Sequence, residues 1–267
     1  MRATLVVLTA CALSGACTVT DGADTTRSVA DSPAALSDTV TLRGTVRLAG
    51  TTTPVQPMIE NTTDPQVCGS LQPAGDLVVD TASRGIANVV VALRDVPGDA
   101  VPAVQPSRLL IDNRDCQFVP RVAVLTVGST IEATSHDDTL HTVHFYGALE
   151  RNIALPDSSA SRELTVGEPG MIAVLCDVHG WMKAYIRVDA HPYHAVTDSR
   201  GAFEIGSVPR GSYQLDVWHE RLGSQSLPVL AGGEGGDALE ISYALDPVAA
   251  AFEPAPSPGS IGLARNR

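Results

Sequence analysis

Three side chains of types suited to a soft metal stand close together in the sequence, and a fourth stands well upstream of them. Cys176, His179 and Met182 occupy C-x2-H-x2-M spacing within Cys176-Asp177-Val178-His179-Gly180-Trp181-Met182, and His141 heads Leu140-His141-Thr142-Val143-His144-Phe145. A thiolate, two imidazoles and a weakly donating thioether form a set that suits copper cycling between Cu(I) and Cu(II). The short loop brings three of these groups to one point, and the fourth comes from a separate strand, so the folded scaffold fixes the geometry before metal arrives. His144 lies three residues past His141, on the opposite face of a strand, and cannot readily reach the same metal. His136, His191, His194 and His219 have no comparable cluster around them, although His191 and His194 stand close enough to form a weak second site.

These groups must be positioned by strands. Val40 to Leu48 alternates, Val89 to Leu93 is a compact apolar run, and Val122 to Val127 runs into the turn residues Gly128-Ser129. Further strands are predicted at Thr142 to Phe145, Met171 to Leu175, Ala184 to Val188, Ala202 to Ile205 and Tyr213 to Trp218. No segment sustains a period of 3.6. Hydrophobic residues make up 44% of the 267 residues but aromatics only 4%, so the cores must be built from Val, Leu, Ile and Ala. That composition, with frequent Gly and Pro, favours β-sandwiches over helical bundles. The fold class expected is all-β, with two small sandwiches and tails.

On the ligand loop and the His141 strand, residues 106–189 resemble the cupredoxins, and most closely the amicyanin, pseudoazurin and plastocyanin-like group. The resemblance implies a Greek-key β-sandwich holding one type 1 (blue) copper through His141, Cys176, His179 and an axial Met182, with single-electron carriage as the activity. Two positions depart from the pattern: Thr142 stands where Asn is usual, and Gly180 where Pro is usual. The Asn ordinarily ties the two ligand loops together, a task that a Thr hydroxyl can partly replace. The resemblance also implies that His179, with Trp181, forms an exposed apolar rim where a redox partner docks, a c-type cytochrome or a periplasmic oxidoreductase. Lys183, the single lysine of the chain, adjoins that rim.

A second resemblance lies downstream. Val196-Thr197-Asp198-Ser199-Arg200-Gly201-Ala202-Phe203-Glu204-Ile205, followed by Val208-Pro209-Arg210-Gly211-Ser212-Tyr213-Gln214-Leu215, is similar to a carboxypeptidase regulatory-like β-sandwich, with Asp and Gly at the turns. The first half of that pattern stands far upstream, at Gly44-Thr45-Val46 and at Ile86 to Leu93. The expectation is therefore a copper domain (106–189) inserted into one sandwich whose parts are 39–105 and 190–247. A continuous copper domain starting near residue 39 is the alternative, and limited proteolysis separates the two.

The first 17 residues read as an export signal: Arg2, then an apolar run from Leu5 to Leu13, then small residues. Ser14-Gly15-Ala16-Cys17 resembles a bacterial lipobox, which implies lipidation of Cys17; an ordinary cleaved signal peptide is the other reading. Residues 18–38 read as a flexible linker and 248–267 as a disordered tail. Of the five cysteines, Cys68 and Cys116 have neither a lipid nor a ligand role and can pair as a disulfide in a periplasmic or cell-surface setting. The formal charge of −12 repels nucleic acid and anionic lipid, leaving an N-terminal lipid as the route to a membrane. No Ser-His-Asp order, phosphate-binding loop or second cluster of paired histidines points to an enzyme. A copper carrier, or a binding module such as a carbohydrate-binding sandwich with a structural metal site, are the rival readings.

Overall fold

The structure, a computed structural model, describes residues 38–52, 54–103, 106–233 and 238–245. The export signal, Cys17, nearly all of the linker and the C-terminal tail lie outside the described residues.

Four strands precede the predicted copper segment: β1 (Thr39–Leu48), β2 (Met58–Glu60), β3 (Leu71–Pro73) and β4 (Val90–Arg94). Nine follow within it: β5 (Arg108–Arg114), β6 (Gln117–Val119), β7 (Val122–Thr126), β8 (Thr130–Ser135), β9 (His141–Gly147), β10 (Arg151–Leu155), β11 (Ser161–Thr165), β12 (Gly170–Leu175) and β13 (Lys183–Asp189). The chain continues with β14 (His194–Val196), β15 (Ala202–Pro209), β16 (Gly211–His219), β17 (Gly223–Ala231) and β18 (Ala238–Tyr243). Helix is confined, among the described residues, to the single turn α1 (Pro65–Cys68) and a 3₁₀ turn at Gly98–Ala100. The all-β expectation holds.

Two sandwiches result. In the middle one, a sheet ordered β10-β9-β12-β13-β7 faces a sheet ordered β11-β8-β5-β6. Alternation along the strands sends Val143 and Phe145 of β9, Ile172 and Val174 of β12, and Ala184 and Ile186 of β13 into a common core, all fully buried. The β13–β7 and β5–β8 pairs are parallel, so the chain must cross over between the paired strands rather than turn back in a hairpin.

The other sandwich is built from both ends of the described chain. β1 pairs with β15 and, in parallel, with β18, while β4 pairs with β14 and β16. Leu42, Val91, Ile205, Leu215 and Ile241 meet in one core that contains no residue of 106–189. Two glycines allow its parts to cross: an added Cβ at Gly85 would stand 1.7 Å from the Arg200 carbonyl oxygen, and one at Gly201 (φ +79°) would stand 2.3 Å from the Val46 carbonyl oxygen. The segment between β2 and β3 departs from this division. It precedes β4 in sequence, but Cys68 packs in the middle core and is bonded to Cys116 at the β5–β6 turn, 48 residues on. A bridge closing a loop of that length stabilises by roughly 4 kcal/mol in the chain-entropy account.

The two sandwiches meet at a polar contact. The Arg121 guanidinium grips Glu220 bidentately, Nε to Oε1 at 2.5 Å and Nη2 to Oε2 at 2.8 Å, and the rings of Tyr185 and Trp218 lie 5.1 Å apart. Beside this pair His219 is 1% exposed, its Nδ1 accepting the Arg221 N–H at 3.2 Å. Burial pushes its imidazole down to about 4, with Asp76 opposing and Arg121 and Arg221 reinforcing the shift. A histidine with a depressed folded-state value is held neutral, so its contribution is intact above the unfolded value near 6.5 and fades as pH falls toward 4. Urea midpoints measured from pH 7 to pH 4 should therefore fall by an amount equivalent to about 3 kcal/mol, and His219→Gln should flatten that dependence.

Candidate metal centre

His141 is the first residue of β9, and the pairing of β9 with both β10 and β12 fixes its position beside the end of the cysteine strand. Cys176 directly follows β12, and Met182 directly precedes β13, so the ligand loop is the β12–β13 connection. Within that loop the Met182 N–H donates to the His179 carbonyl at 2.9 Å and the Cys176 N–H reaches the Met182 carbonyl at 3.4 Å. These bonds fold the loop into a tight turn, and Met182 is buried in the middle core with Cys176.

Three donor atoms converge. His179 Nδ1 lies 3.0 Å from His141 Nδ1, and Cys176 Sγ lies 3.7 Å from the first and 4.0 Å from the second. A triangle with those edges has a centre about 2.1 Å from every corner, which is the range of metal–imidazole and metal–thiolate bonds. The outer nitrogens of both rings are already engaged: His141 Nε2 faces Asp137 Oδ2 at 3.0 Å, and His179 Nε2 faces Asp64 Oδ2 at 3.3 Å. With a proton on each outer nitrogen, both Nδ1 lone pairs would face each other and the sulfur, and a cation placed between the three donors would satisfy them. Burial, with the neighbouring His179 ring adding to it, lowers the His141 imidazole below its usual range against the pull of Asp137, which keeps the ring in the neutral, ligating form. The donor set present therefore fits a copper ion.

The sulfur is supported as a thiolate would be. The backbone N–H groups of Thr142 and His179 both point at Cys176 Sγ, each at 3.4 Å. The Thr142 hydroxyl accepts the Asp177 N–H at 2.7 Å and lies 3.8 Å from the sulfur, so it ties the β9 loop to the cysteine loop where an Asn is usual. Gly180 has open space around its Cβ direction, so nothing local demands glycine there. A second acid–histidine group, Cys116, Asp137 and His141, shares His141 with the first. Its cysteine is locked in the disulfide and offers no thiolate.

His144 takes no part. It lies on the outer face of β9, where its Nδ1 meets Asp177 at 3.0 Å and the Tyr146 hydroxyl at 2.7 Å. His136 binds Asp112, and His194 binds Asp189; His191 accepts the Tyr193 N–H. His191 and His194 gather no third donor within reach among the described residues.

One expectation is overturned. His179 does not form an exposed rim: its side chain is 0% exposed. The cause is the β2–β3 connection, which lays Asp64 over the outer edge of the ring. The Asp64 carboxylate also accepts the Thr139 hydroxyl at 2.8 Å, and that bond, followed by His179, holds it below the usual carboxylate range in spite of desolvation. Trp181 is turned toward the disulfide, its indole N–H donating to the Cys116 carbonyl at 3.1 Å. Asp137 and Asp64 were not among the residues singled out by sequence. Asp137 had a weak signal, four residues before His141, whereas Asp64 lies 115 residues from the ring it contacts.

Neither the known protein families nor the curated proteins give a match to this sequence. Solved structures do. Amicyanin from Paracoccus versutus aligns at 17% identity over 36% of this chain and 86% of its own, with a TM-score of 0.27. A purple cupredoxin from Nitrosopumilus maritimus aligns at 19% over 31% of this chain and 99% of its own, TM-score 0.28. A copper-containing nitrite reductase from Thermus scotoductus aligns at 22% over 35% of this chain, TM-score 0.29, and this chain spans only 24% of that protein's length.

Proposed function

We propose that this chain is an exported type 1 copper protein that carries single electrons between redox partners by Cu(II)/Cu(I) cycling. The observation that carries the reading is the convergence of His141 Nδ1, Cys176 Sγ and His179 Nδ1 on one point at bonding distance from all three. Bound there, copper would supply a one-electron couple, with the Met182 thioether as a further, weaker donor. The chain's own contribution is rigidity. Asp137 and Asp64 fix the two ring orientations, the Thr142 and His179 amides hold the sulfur, and Thr142 locks the two loops together, so little has to move when the charge of the site changes by one. The partner proposed is a c-type cytochrome or another periplasmic oxidoreductase, the location periplasmic or cell-surface with Cys17 as lipid anchor, and the role carriage rather than catalysis. The outer sandwich, by its likeness to the carboxypeptidase regulatory-like pattern, is proposed as a presenting scaffold for the copper sandwich.

Two alanine variants test the ligand assignment. His141→Ala should lose the intense visible absorption of the copper-loaded protein or open the site to water, whereas His144→Ala should keep it, because only His141 faces the sulfur. Equal loss in both would sink the assignment. A copper carrier or sequestration protein is the second reading, and the complete burial of His179 favours the sequestering form, since no ring edge is offered to a docking partner and the metal would be retained. Rapid copper transfer to an apo-acceptor without any electron exchange would identify the carrier.

A further inference from the structure

The outer edges of both histidines are held by carboxylates, and the two carboxylates are joined to each other through the disulfide. Asp137 accepts the N–H groups of Asp115 at 2.8 Å and Cys116 at 3.0 Å, so it binds His141 and the Cys116 loop together. Cys116 is bonded to Cys68 at the end of α1, and the carbonyl of Asp64, at the start of that turn, accepts the N–H groups of Val67 and Cys68, both at 2.9 Å. The rest of the segment is pinned from below: buried Asn61 donates to the carbonyls of Cys68 and Gly69 at 2.9 and 3.0 Å, and Gln117 of β6 reaches Gln72 at 3.2 Å. Asp64 itself takes a left-handed conformation, φ 49° and ψ 44°, which aims its carboxylate at the histidine ring and which a β-branched residue would resist. Its side chain is 32% exposed while the ring behind it is 0% exposed, so Asp64 stands between His179 and solvent.

We infer that residues 61–72 form a disulfide-anchored cap over the metal centre, in which Asp64 is the positioning residue that fixes the His179 ring and closes its outer edge. The inference rests on the copper reading for its role in metal exchange, but the contact itself is independent of any metal. Loss of the Asp64 carboxylate frees the ring to turn, and loss of the disulfide frees the segment that carries Asp64; both expose the same edge. The cap thereby sets how fast copper leaves and how His179 orients its lone pair.

Two measurements on the full mature chain test this. The first needs no metal: solvent exchange of the His179 Nε2–H proton, followed by nitrogen-15 NMR in wild type, Asp64→Ala, Asp64→Asn and the double variant Cys68→Ser/Cys116→Ser. The wild-type proton should be protected, and the Ala and double variants should exchange at least about tenfold faster, with Asn, which keeps an acceptor oxygen, recovering part of the protection. The second follows removal of Cu(I) by a bidentate Cu(I) chelator, which should be about tenfold faster in the Ala and double variants. Val46→Ala, in the outer core, supplies a chain destabilised away from the cap and should leave both rates at wild-type values. Equal exchange in wild type and Asp64→Ala, or equal removal rates in all capped and uncapped chains, overturns the cap. A chain that takes up no copper overturns the copper reading instead, while the proton-exchange result still decides the cap.

Discussion

Cys176→Ser is expected to abolish the intense visible absorption of the copper-loaded protein, even where some copper remains bound. The absorption of a type 1 site comes from charge transfer out of a thiolate, and a serine oxygen cannot reproduce it. The surroundings make the loss specific. The two amides aimed at Sγ and the Thr142 hydroxyl are arranged around a large sulfur, and a hydroxyl in its place is smaller and farther from both Nδ1 atoms. Copper affinity should fall as well, because two imidazoles and a neutral oxygen are a harder and weaker set for Cu(I). Absorption spectroscopy with metal analysis on the same sample separates the two effects. A variant that keeps the wild-type band would remove Cys176 from the site.

Gly85→Ala is expected to be the most damaging single-methyl change outside the metal centre. Its Cβ would fall 1.7 Å from the Arg200 carbonyl oxygen and 2.7 Å from the Gly201 nitrogen, all backbone atoms that cannot swing aside. The cost should be about 3 kcal/mol or more, read as a lowered urea midpoint. The strain falls where residues 85–86 cross residues 200–201, inside the outer sandwich, so the copper site of the molecules that remain folded should keep its absorption. A loss of the band in step with the loss of stability would mean that the two sandwiches fold as one unit; an unchanged midpoint would mean that the crossing yields easily.

Much of this architecture could be read from alternation. In β9 the order His141, Thr142, Val143, His144, Phe145 sends residues inward and outward by turns, and the buried His141 and outward His144 follow from that period alone. The cysteine loop was legible because its three candidate donors are local in sequence. Among the strands that escaped prediction are some with polar patterns, such as β11, where only Leu164 of Ser161–Thr165 is half-buried, and β18, whose outward residues include Glu240 and Ser242. What lay beyond local reading was the cap. Asp64 sits in a stretch of Asn, Thr and Pro with no periodicity, and its role exists only because the disulfide from Cys68 draws that stretch across to the β5–β6 turn. The expectation of an exposed His179 failed for the same reason: the ligand loop is ordinary in sequence, and the segment covering it lies more than a hundred residues upstream.

The central claim, a thiolate and two imidazoles meeting at one copper ion, is tested most directly by the visible absorption spectrum of the wild-type chain titrated with Cu(II). An intense blue or violet band that saturates at one equivalent of copper, and that bleaches on addition of a one-electron reductant, is the predicted result. Copper uptake with only weak visible bands, or with no saturation at one equivalent, would contradict it.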